Sequence, residues 1–217
     1  MSHRAQVLVI AKEPRAGHAK TRLTPPLTPA QAAAVATASL LDTLAAVTAT
    51  DVAVRTVVLD GSPAGWLPPG FDVVPQVEGG LGARLDAAFA GAFARHDLPA
   101  LLIGMDTPQV TPDLLRQALD ALQRGDNDAV LGLAEDGGWW ALGMRKPASG
   151  VFDGVPMSTA GTGAAQRQRL TDLRLTTEEL PVLRDIDHIE DLTAVAGLLP
   201  TDSRTARLVR DLSLVPA

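Results

Sequence analysis

The stretch AQVLVIAKEPRAGHAKTRL, residues 5–23, joins two unlike pieces of chain. Its first seven residues are apolar and partly β-branched, which suits a strand covered on both faces. The following eleven carry Lys12, Arg15, Lys20 and Arg22. A strand running into a basic loop ahead of a helix places cations and free backbone amides together, an arrangement suited to phosphate oxygens. The ending Lys20-Thr21 imitates a Walker A loop, G-x-x-x-x-G-K-[ST], but Pro14 and Ala19 stand at its two glycine positions. The loop is therefore another kind of phosphate site or, more plainly, a solvated basic loop.

Outward from this stretch the chain alternates. Thr28, Pro29 and Gln31 form an N-cap, first helical residue and capping-box partner, so an alanine-rich helix is expected to about Val47. VAVRTVVLD (52–60) reads as a strand and residues 71–74 as a shorter one. Leu81, Leu85, Phe89 and Phe93 recur every four residues, predicting an amphipathic helix over 81–96. PALLIGMD (99–106) is a buried strand. Thr111-Pro112 opens a helix with Leu115, Ala118, Leu119 and Leu122 on one face, closing at Gly125. DAVLGLA (128–134) and WWALGM (139–144) are strands joined through EDGG. A helix over 162–172, an extended piece near 180–184 and helices near 188–198 and 203–212 complete the pattern. Such alternation implies helices on both faces of a mainly parallel sheet. The expected fold class is α/β: one domain over residues 1–217, a three-layer α/β/α sandwich with a mainly parallel mixed sheet.

Composition narrows the function. The 217 residues are 46% hydrophobic and 20% charged, with a formal net charge of −6. A sizeable core is possible, and nonspecific nucleic-acid binding, which needs a basic surface, is disfavoured. The absence of cysteine excludes disulfides and thiolate metal sites and fits a reducing compartment. The first apolar run ends at Lys12-Glu13, too short for a membrane span, so a cytoplasmic protein without membrane insertion is expected. The four histidines have no zinc spacing, GGLGARL puts Leu85 where a dinucleotide loop needs its third glycine, and G-x-S-x-G is missing.

In sheets of this class ligands bind beyond the carboxyl ends of the strands. The segments that fall there are 12–22, 76–84, 106–107 and 135–138. Asp106 closes LLIGMD; it is either an Asx-turn or a ligand for a hard divalent cation. A second acidic group, RDIDHIEDL, supplies Asp185, Asp187, Glu190 and Asp191. Two carboxylates ~4 Å apart repel by roughly 4 kcal/mol at an effective dielectric of 20, so if Asp106 meets one of these, a metal or a proton is expected between them. AEDGGWWALGM places two glycines between acids and tryptophans; it is a β-turn flanked by core and rim tryptophans, or a close approach to a ligand.

In order, AKEPRAGHAKTRL, LTPAQAAAV, QVEGGLGARL, IGMDTPQVT, DGGWWALGM and DIDHIEDL resemble the GT-A-like, nucleotide-diphosphosugar-transferase-fold proteins. The nearest set looks like the bacterial glycosyltransferases of arsenosugar biosynthesis. More distant similarity is to phospholactate guanylyltransferases and molybdenum-cofactor nucleotidyltransferases. The resemblance spans about residues 5–195. It implies a nucleotide or nucleotide-sugar donor and a small-molecule acceptor. Lys12, Lys20, Thr21 and Arg22 would bind phosphate, and Gln76, Gly79 and Gly80 would border the nucleoside. Asp106 and Asp187 (or Asp185) would hold Mg²⁺ or Mn²⁺, and Lys20 would act in catalysis with Asp136, or else Glu135, as the base toward the acceptor. Gly137, Gly138, Trp139, Ser158 and Thr159 would face the acceptor. Three positions depart from the family pattern: Trp139-Trp140 replaces a tyrosine-bearing segment, Met157 replaces a tryptophan before Ser-Thr, and Thr21 stands where the guanylyltransferases favour serine. The alternative chemistry is nucleotidyl transfer with pyrophosphate release, and a third possibility is a nucleotide-binding domain without catalysis.

Overall fold

The computed structural model describes residues 3–63 and 65–214. Its sheet has seven strands: β1 (His3–Lys12), β2 (Val52–Asp60), β3 (Asp72–Pro75), β4 (Ala100–Gly104), β5 (Ala129–Ala134), β6 (Trp139–Met144) and β7 (Thr177–Leu183). They lie in the order β3-β2-β1-β4-β6-β5-β7. The antiparallel pairings all involve β6, with β4 on one side and β5 on the other; the remaining pairings are parallel. The carboxyl ends of β1, β2, β3, β4, β5 and β7 therefore share one edge with the amino end of β6.

Local chemistry accounts for the helices. Helix α1 (Pro29–Ala49) begins at Thr28, whose Oγ1 accepts from Gln31 N at 3.2 Å while Thr28 N donates to Gln31 Oε1 at 2.8 Å. That capping box satisfies two otherwise unpartnered amides. Helix α3 (Pro112–Gln123) is capped by Thr111, whose Oγ1 accepts from Leu114 N. Leu40, Leu44 and Val47 of α1 join Leu115, Leu119 and Leu122 of α3 on Val7, Val9, Leu101 and Ile103, forming one face. Helix α2 (Leu81–Arg95) places Leu85, Phe89 and Phe93 on the other, over Leu8, Leu102, Leu131 and Leu142, with Leu170 of α4 (Thr162–Asp172). The sequence pattern for α2 holds except at Leu81, which is exposed at its start. Near-continuous apolar β1 is thus explained by cover on both faces. Helix α1 is also apolar and long enough to cross a membrane by composition, yet most of it is buried inside the fold, Ala36, Leu40, Leu44 and Val47 against the sheet.

Helices α5 (Ile189–Leu198) and α6 (Arg204–Asp211) form a third cluster with Leu23, Leu27, Val35 and Ile186. This cluster ties the end of the basic loop to the acidic segment 185–191. The sequence marked only a short extended piece near 180–184, whereas β7 is a seven-residue edge strand pairing with β5. Its opening Thr-Glu-Glu hides the strand because its outward positions are polar and solvated.

Candidate active site

A cavity of about 1100 Å³ opens along the carboxyl edge of the sheet. Lys12, Lys20, Thr21, Arg22, Gln76, Gly79, Gly80, Asp106, Asp136, Gly138, Trp139, Ser158, Thr159 and Asp187 all line it, from segments far apart in sequence. Among the residues expected from sequence to form the site, Gly137 does not line it and instead lies against the Ala160 backbone.

The half of the cavity around the basic loop starts at the end of β1. Lys12 N donates to Met105 Sδ at 3.2 Å, and Met105 O accepts from Ser39 Oγ of α1, so the ends of β1 and β4 are locked together. The loop then turns at Lys20, which adopts a left-handed backbone (φ 52°, ψ 39°) just before a single 3-10 turn, Thr21–Leu23. That conformation is uncommon for a residue with a Cβ. It tucks the side chain inward to 6% exposure, where Nζ pairs with Asp106 Oδ2 at 2.9 Å and Asp187 Oδ1 at 3.4 Å. Arg22 Nη1 reaches the other oxygen of Asp187 at 2.7 Å from a more exposed position.

Asp106 and Asp187 do meet at one point, and their repulsion is offset by a charge of the chain itself, one the repulsion argument did not count. The separating charge is the ammonium of Lys20. Burial alone would push that ammonium down, but Asp106, Asp187 and Asp185 more than offset it and hold Lys20 above the ordinary lysine range. Asp106 and the acidic segment are also joined through backbone, Ile186 N donating to Asp106 O at 3.1 Å. Asp191 Oδ2 accepts from Asp187 N and His188 N, fixing the turn into α5.

Asp185 takes a separate position. Its Oδ1 is buried without a hydrogen-bond partner, as is Oδ1 of Asp106. Burial first, then the charges of Asp106 and Asp136, push the Asp185 carboxyl up to about 7; Lys20 opposes this and Asp187 adds to it. Among the described residues, no three acidic or imidazole groups stand at metal-ligand spacing. Two carboxylates meeting at one ammonium, with an unpartnered oxygen on Asp106, nevertheless fit Mg²⁺ or Mn²⁺, since such ions take one or two carboxylates and complete their shell with water and substrate phosphate.

Across the cavity, Gly79 and Gly80 lead into α2, whose first turn has no side-chain cap. Arg84, one turn inside α2, holds this entry: its Nε donates to Gly79 O at 2.9 Å, and its Nη1 donates to Asp60 Oδ2 and Gln76 Oε1. Gln76 Nε2 is spent on the carbonyls of Ala11 and Val58. Gln76 thus braces the ends of β1 and β2, and only its place in the cavity wall matches the nucleoside-bordering expectation.

The half of the cavity around the turn between β5 and β6 is built from backbone. The turn between β5 and β6 closes through Gly138 N donating to Asp136 Oδ1 at 2.8 Å and Ala134 N donating to Gly138 O at 3.0 Å. Gly137 has φ 88°, and a Cβ there would overlap the carbonyl of Ala160. Gly163 N donates to Gly137 O at 2.7 Å, so the turn lies directly on the start of α4. Ser158 has positive φ, while Thr159 and Thr162 share hydrogen bonds within that bend. Trp139 stacks on Phe152 at 6.4 Å between ring centroids, and Met157 stands nearby in the lining. Trp140 points the other way: it is 1% exposed and donates Nε1 to Pro181 O at 3.0 Å. Of the two tryptophans, then, one is core and one is rim. Glu135, the second candidate base, is paired with Arg184 at 2.5 Å and is less available than Asp136.

Sequence reading passed over Arg84, Arg184 and the special status of Asp185. Arg84 carried a usable signal, standing four residues after the Gly80 cap and hence facing back over the helix start. Asp185 stands in the acidic segment that the sequence marks, but its burial, like the pairing of Arg184, depends on elements remote in sequence.

Over residues 32–159 the chain matches the family described as an uncharacterized protein conserved in bacteria (DUF2064). Among solved structures it is similar to a Desulfovibrio desulfuricans G20 protein assigned as a nucleotide-diphospho-sugar transferase. That pair is 27% identical with a TM-score of 0.89, covering 99% of this chain and 97% of the other. Two further likenesses concern the fold alone. Rv0371c of Mycobacterium tuberculosis H37Rv, in complex with manganese, is 21% identical with a TM-score of 0.52, covering 90% of this chain and 98% of that one. A CMP:2-keto-3-deoxy-manno-octonic acid synthetase complexed with CTP is 11% identical with a TM-score of 0.58, covering 96% and 99%. No curated protein matches by sequence.

Proposed function

The chain belongs to the bacterial DUF2064 family, and we propose that this member is a metal-dependent transferase that uses a nucleotide-activated donor. The observation that carries the proposal is the buried Lys20 ammonium between Asp106 and Asp187, in a cavity walled by strand ends. The reaction is glycosyl transfer from a nucleotide-diphosphosugar to a small-molecule acceptor, of the kind its motif order shares with arsenosugar-biosynthesis glycosyltransferases. The similarity to the Desulfovibrio protein supports it.

In this reading the donor diphosphate lies against Lys12, Lys20, Thr21, Arg22 and the uncapped start of α2. Asp106 and Asp187 would hold Mg²⁺ or Mn²⁺, which would supply positive charge against the diphosphate. The acceptor approaches over Gly138, Trp139, Ser158 and Thr159. Its nucleophilic oxygen bonds to the anomeric carbon as the bond from that carbon to the diphosphate breaks, and Asp136 takes the acceptor proton. Lys20 and Arg22 stabilise the departing nucleoside diphosphate, so most of the rate enhancement comes from positioning and charge. Gln76, Gly79 and Gly80 border the nucleoside.

A second reading is nucleotidyl transfer from a nucleoside triphosphate with pyrophosphate release, favoured by the same fold holding CTP in the synthetase. A thermal-shift screen of nucleotides and sugar nucleotides with and without Mn²⁺ identifies the donor, since a ligand that binds the folded state raises the midpoint. Product analysis then separates the two reactions. Pyrophosphate released from a triphosphate, with no sugar nucleotide consumed, removes the glycosyl-transfer reading. No metal-dependent shift with any nucleotide, and no turnover, leaves a binding domain without catalysis.

A further inference from the structure

Lys20 satisfies the charge of the carboxylate pair without satisfying its oxygens. One ammonium serves Asp106 Oδ2 and Asp187 Oδ1, yet Asp106 Oδ1 and Asp185 Oδ1 are buried with no partner. Asp106, Asp185 and Asp187 thus face two cations, Lys20 and the exposed Arg22. The site has carboxylate oxygens to spare, but the place where the carboxylates converge is taken by a positive charge. A divalent cation arriving there alone meets like-charge repulsion in a partly desolvated pocket. The Lys20 side chain is only 6% exposed, so an ammonium released from Asp106 and Asp187 is left desolvated without a counter-charge. It needs another anion inside the cavity, and Lys12, Thr21 and Arg22 mark where that anion would lie.

We infer that Lys20 is the internal counter-ion of this site, and that metal and nucleotide bind as a coupled pair: a diphosphate draws the ammonium from Asp106 and Asp187, freeing the carboxylates for the metal. The inference rests on the transferase reading above and adds a binding order to it. Lys20 therefore acts twice, as counter-ion of the carboxylates and, once a diphosphate binds, as phosphate ligand. Metal without nucleotide binds poorly, which keeps the protein from holding an idle ion.

The test is Mn²⁺ uptake measured by electron paramagnetic resonance of the free ion. Wild type and Lys20→Met are each titrated alone and with ADP, CDP, GDP and UDP in turn, the ion held by each diphosphate in solution being subtracted. Wild type is expected to bind Mn²⁺ about tenfold or more tightly with its preferred diphosphate than without one, a coupling of ordinary allosteric size. Lys20→Met is expected to bind Mn²⁺ alone about tenfold more tightly than wild type does, and to gain little from any diphosphate. The variant's thermal midpoint should also rise with Mn²⁺ alone, a response wild type lacks. The wild-type titrations decide the coupling even if the variant folds poorly: equal Mn²⁺ affinity with and without every diphosphate overturns it. If wild type forms the ternary complex but Lys20→Met binds the ion no more tightly, the counter-ion role falls and the transferase reading stands. No Mn²⁺ uptake under any condition overturns both.

Discussion

The two halves of the cavity are built by different forces. On the side of the basic loop, position is set by charge: Lys20, Arg22, Asp106 and Asp187 hold one another, and Asp185 is pressed against them with an unpartnered oxygen. On the side of the β5–β6 turn, position is set by contact. Gly137 and Gly163 let two backbone segments touch where any side chain would overlap, and Trp139 rests on Phe152. The first half therefore tolerates changes of shape better than changes of charge, and the second the reverse. The division also suits the chemistry proposed. A diphosphate is recognised by charge and is common to many donors, whereas an acceptor is recognised by shape.

The largest break in this comparison should come from a single methyl group. Gly137→Ala adds a Cβ at φ 88° against the Ala160 carbonyl, so both backbone conformation and packing oppose it. Strain and overlap of this kind cost about 3 kcal/mol, or roughly 10 °C in midpoint for a chain of this size. Thermal unfolding checks the expectation. A midpoint within about 2 °C of wild type would show that the turn can move off α4, and the contact-built half would lose its rationale.

Removing a charge should give a smaller and pH-dependent effect. The folded protein keeps the Asp185 proton up to about pH 7, while the unfolded chain releases it near 3.8. The folded state thus binds more protons between those values, and its stability falls as pH rises across that window and is lowest above 7. Asp185→Asn has no charge to desolvate. In chelator, with no divalent ion present, its midpoint should exceed wild type by about 5 °C at pH 8, after a generous discount for solvent screening. The two curves should converge towards pH 4. Parallel curves at all pH values would mean that Asp185 is solvated and that the charge-built half is less crowded than its geometry implies.

Much of the contact-built scaffold was legible in sequence, because it is local. Thr28-Pro29-Gln31 announced α1, and the four-residue spacing of Leu85, Phe89 and Phe93 announced α2. Gly137-Gly138 announced a turn. Its need for glycine was hidden, since Ala160 and Gly163, which create it, lie more than twenty residues away. The charge-built half was legible only as inventory. Lys20, Asp106 and Asp187 could be named, but Coulomb repulsion alone could not say which cation separates the acids. That choice depends on the left-handed turn at Lys20, which a residue with a Cβ seldom adopts and which sequence gives no reason to expect. Strand order was hidden for a related reason: β6 is inserted between β4 and β5, and apolar runs do not encode their neighbours.

Arg22 offers the finest test of the division, because stability and binding should part company there. Its pair with Asp187 is short, at 2.7 Å, but Arg22 is 64% exposed and Asp187 32%. Exposed pairs contribute about 0–1 kcal/mol, since water screens them and two side chains must be ordered. Lys20 remains on Asp187 in any case. Arg22→Ala should therefore shift the thermal midpoint by no more than about 2 °C, within the range for a surface substitution. The same change removes a guanidinium from the wall assigned to the diphosphate, where a charged hydrogen bond contributes about 1.5–3 kcal/mol. Nucleotide affinity should then fall by about tenfold or more, with a weaker dependence on salt than wild type shows. Titration calorimetry at two ionic strengths measures both quantities. An equal loss of stability and affinity would make Arg22 a structural brace of Asp187, and an unchanged affinity would move the diphosphate away from this end of the loop.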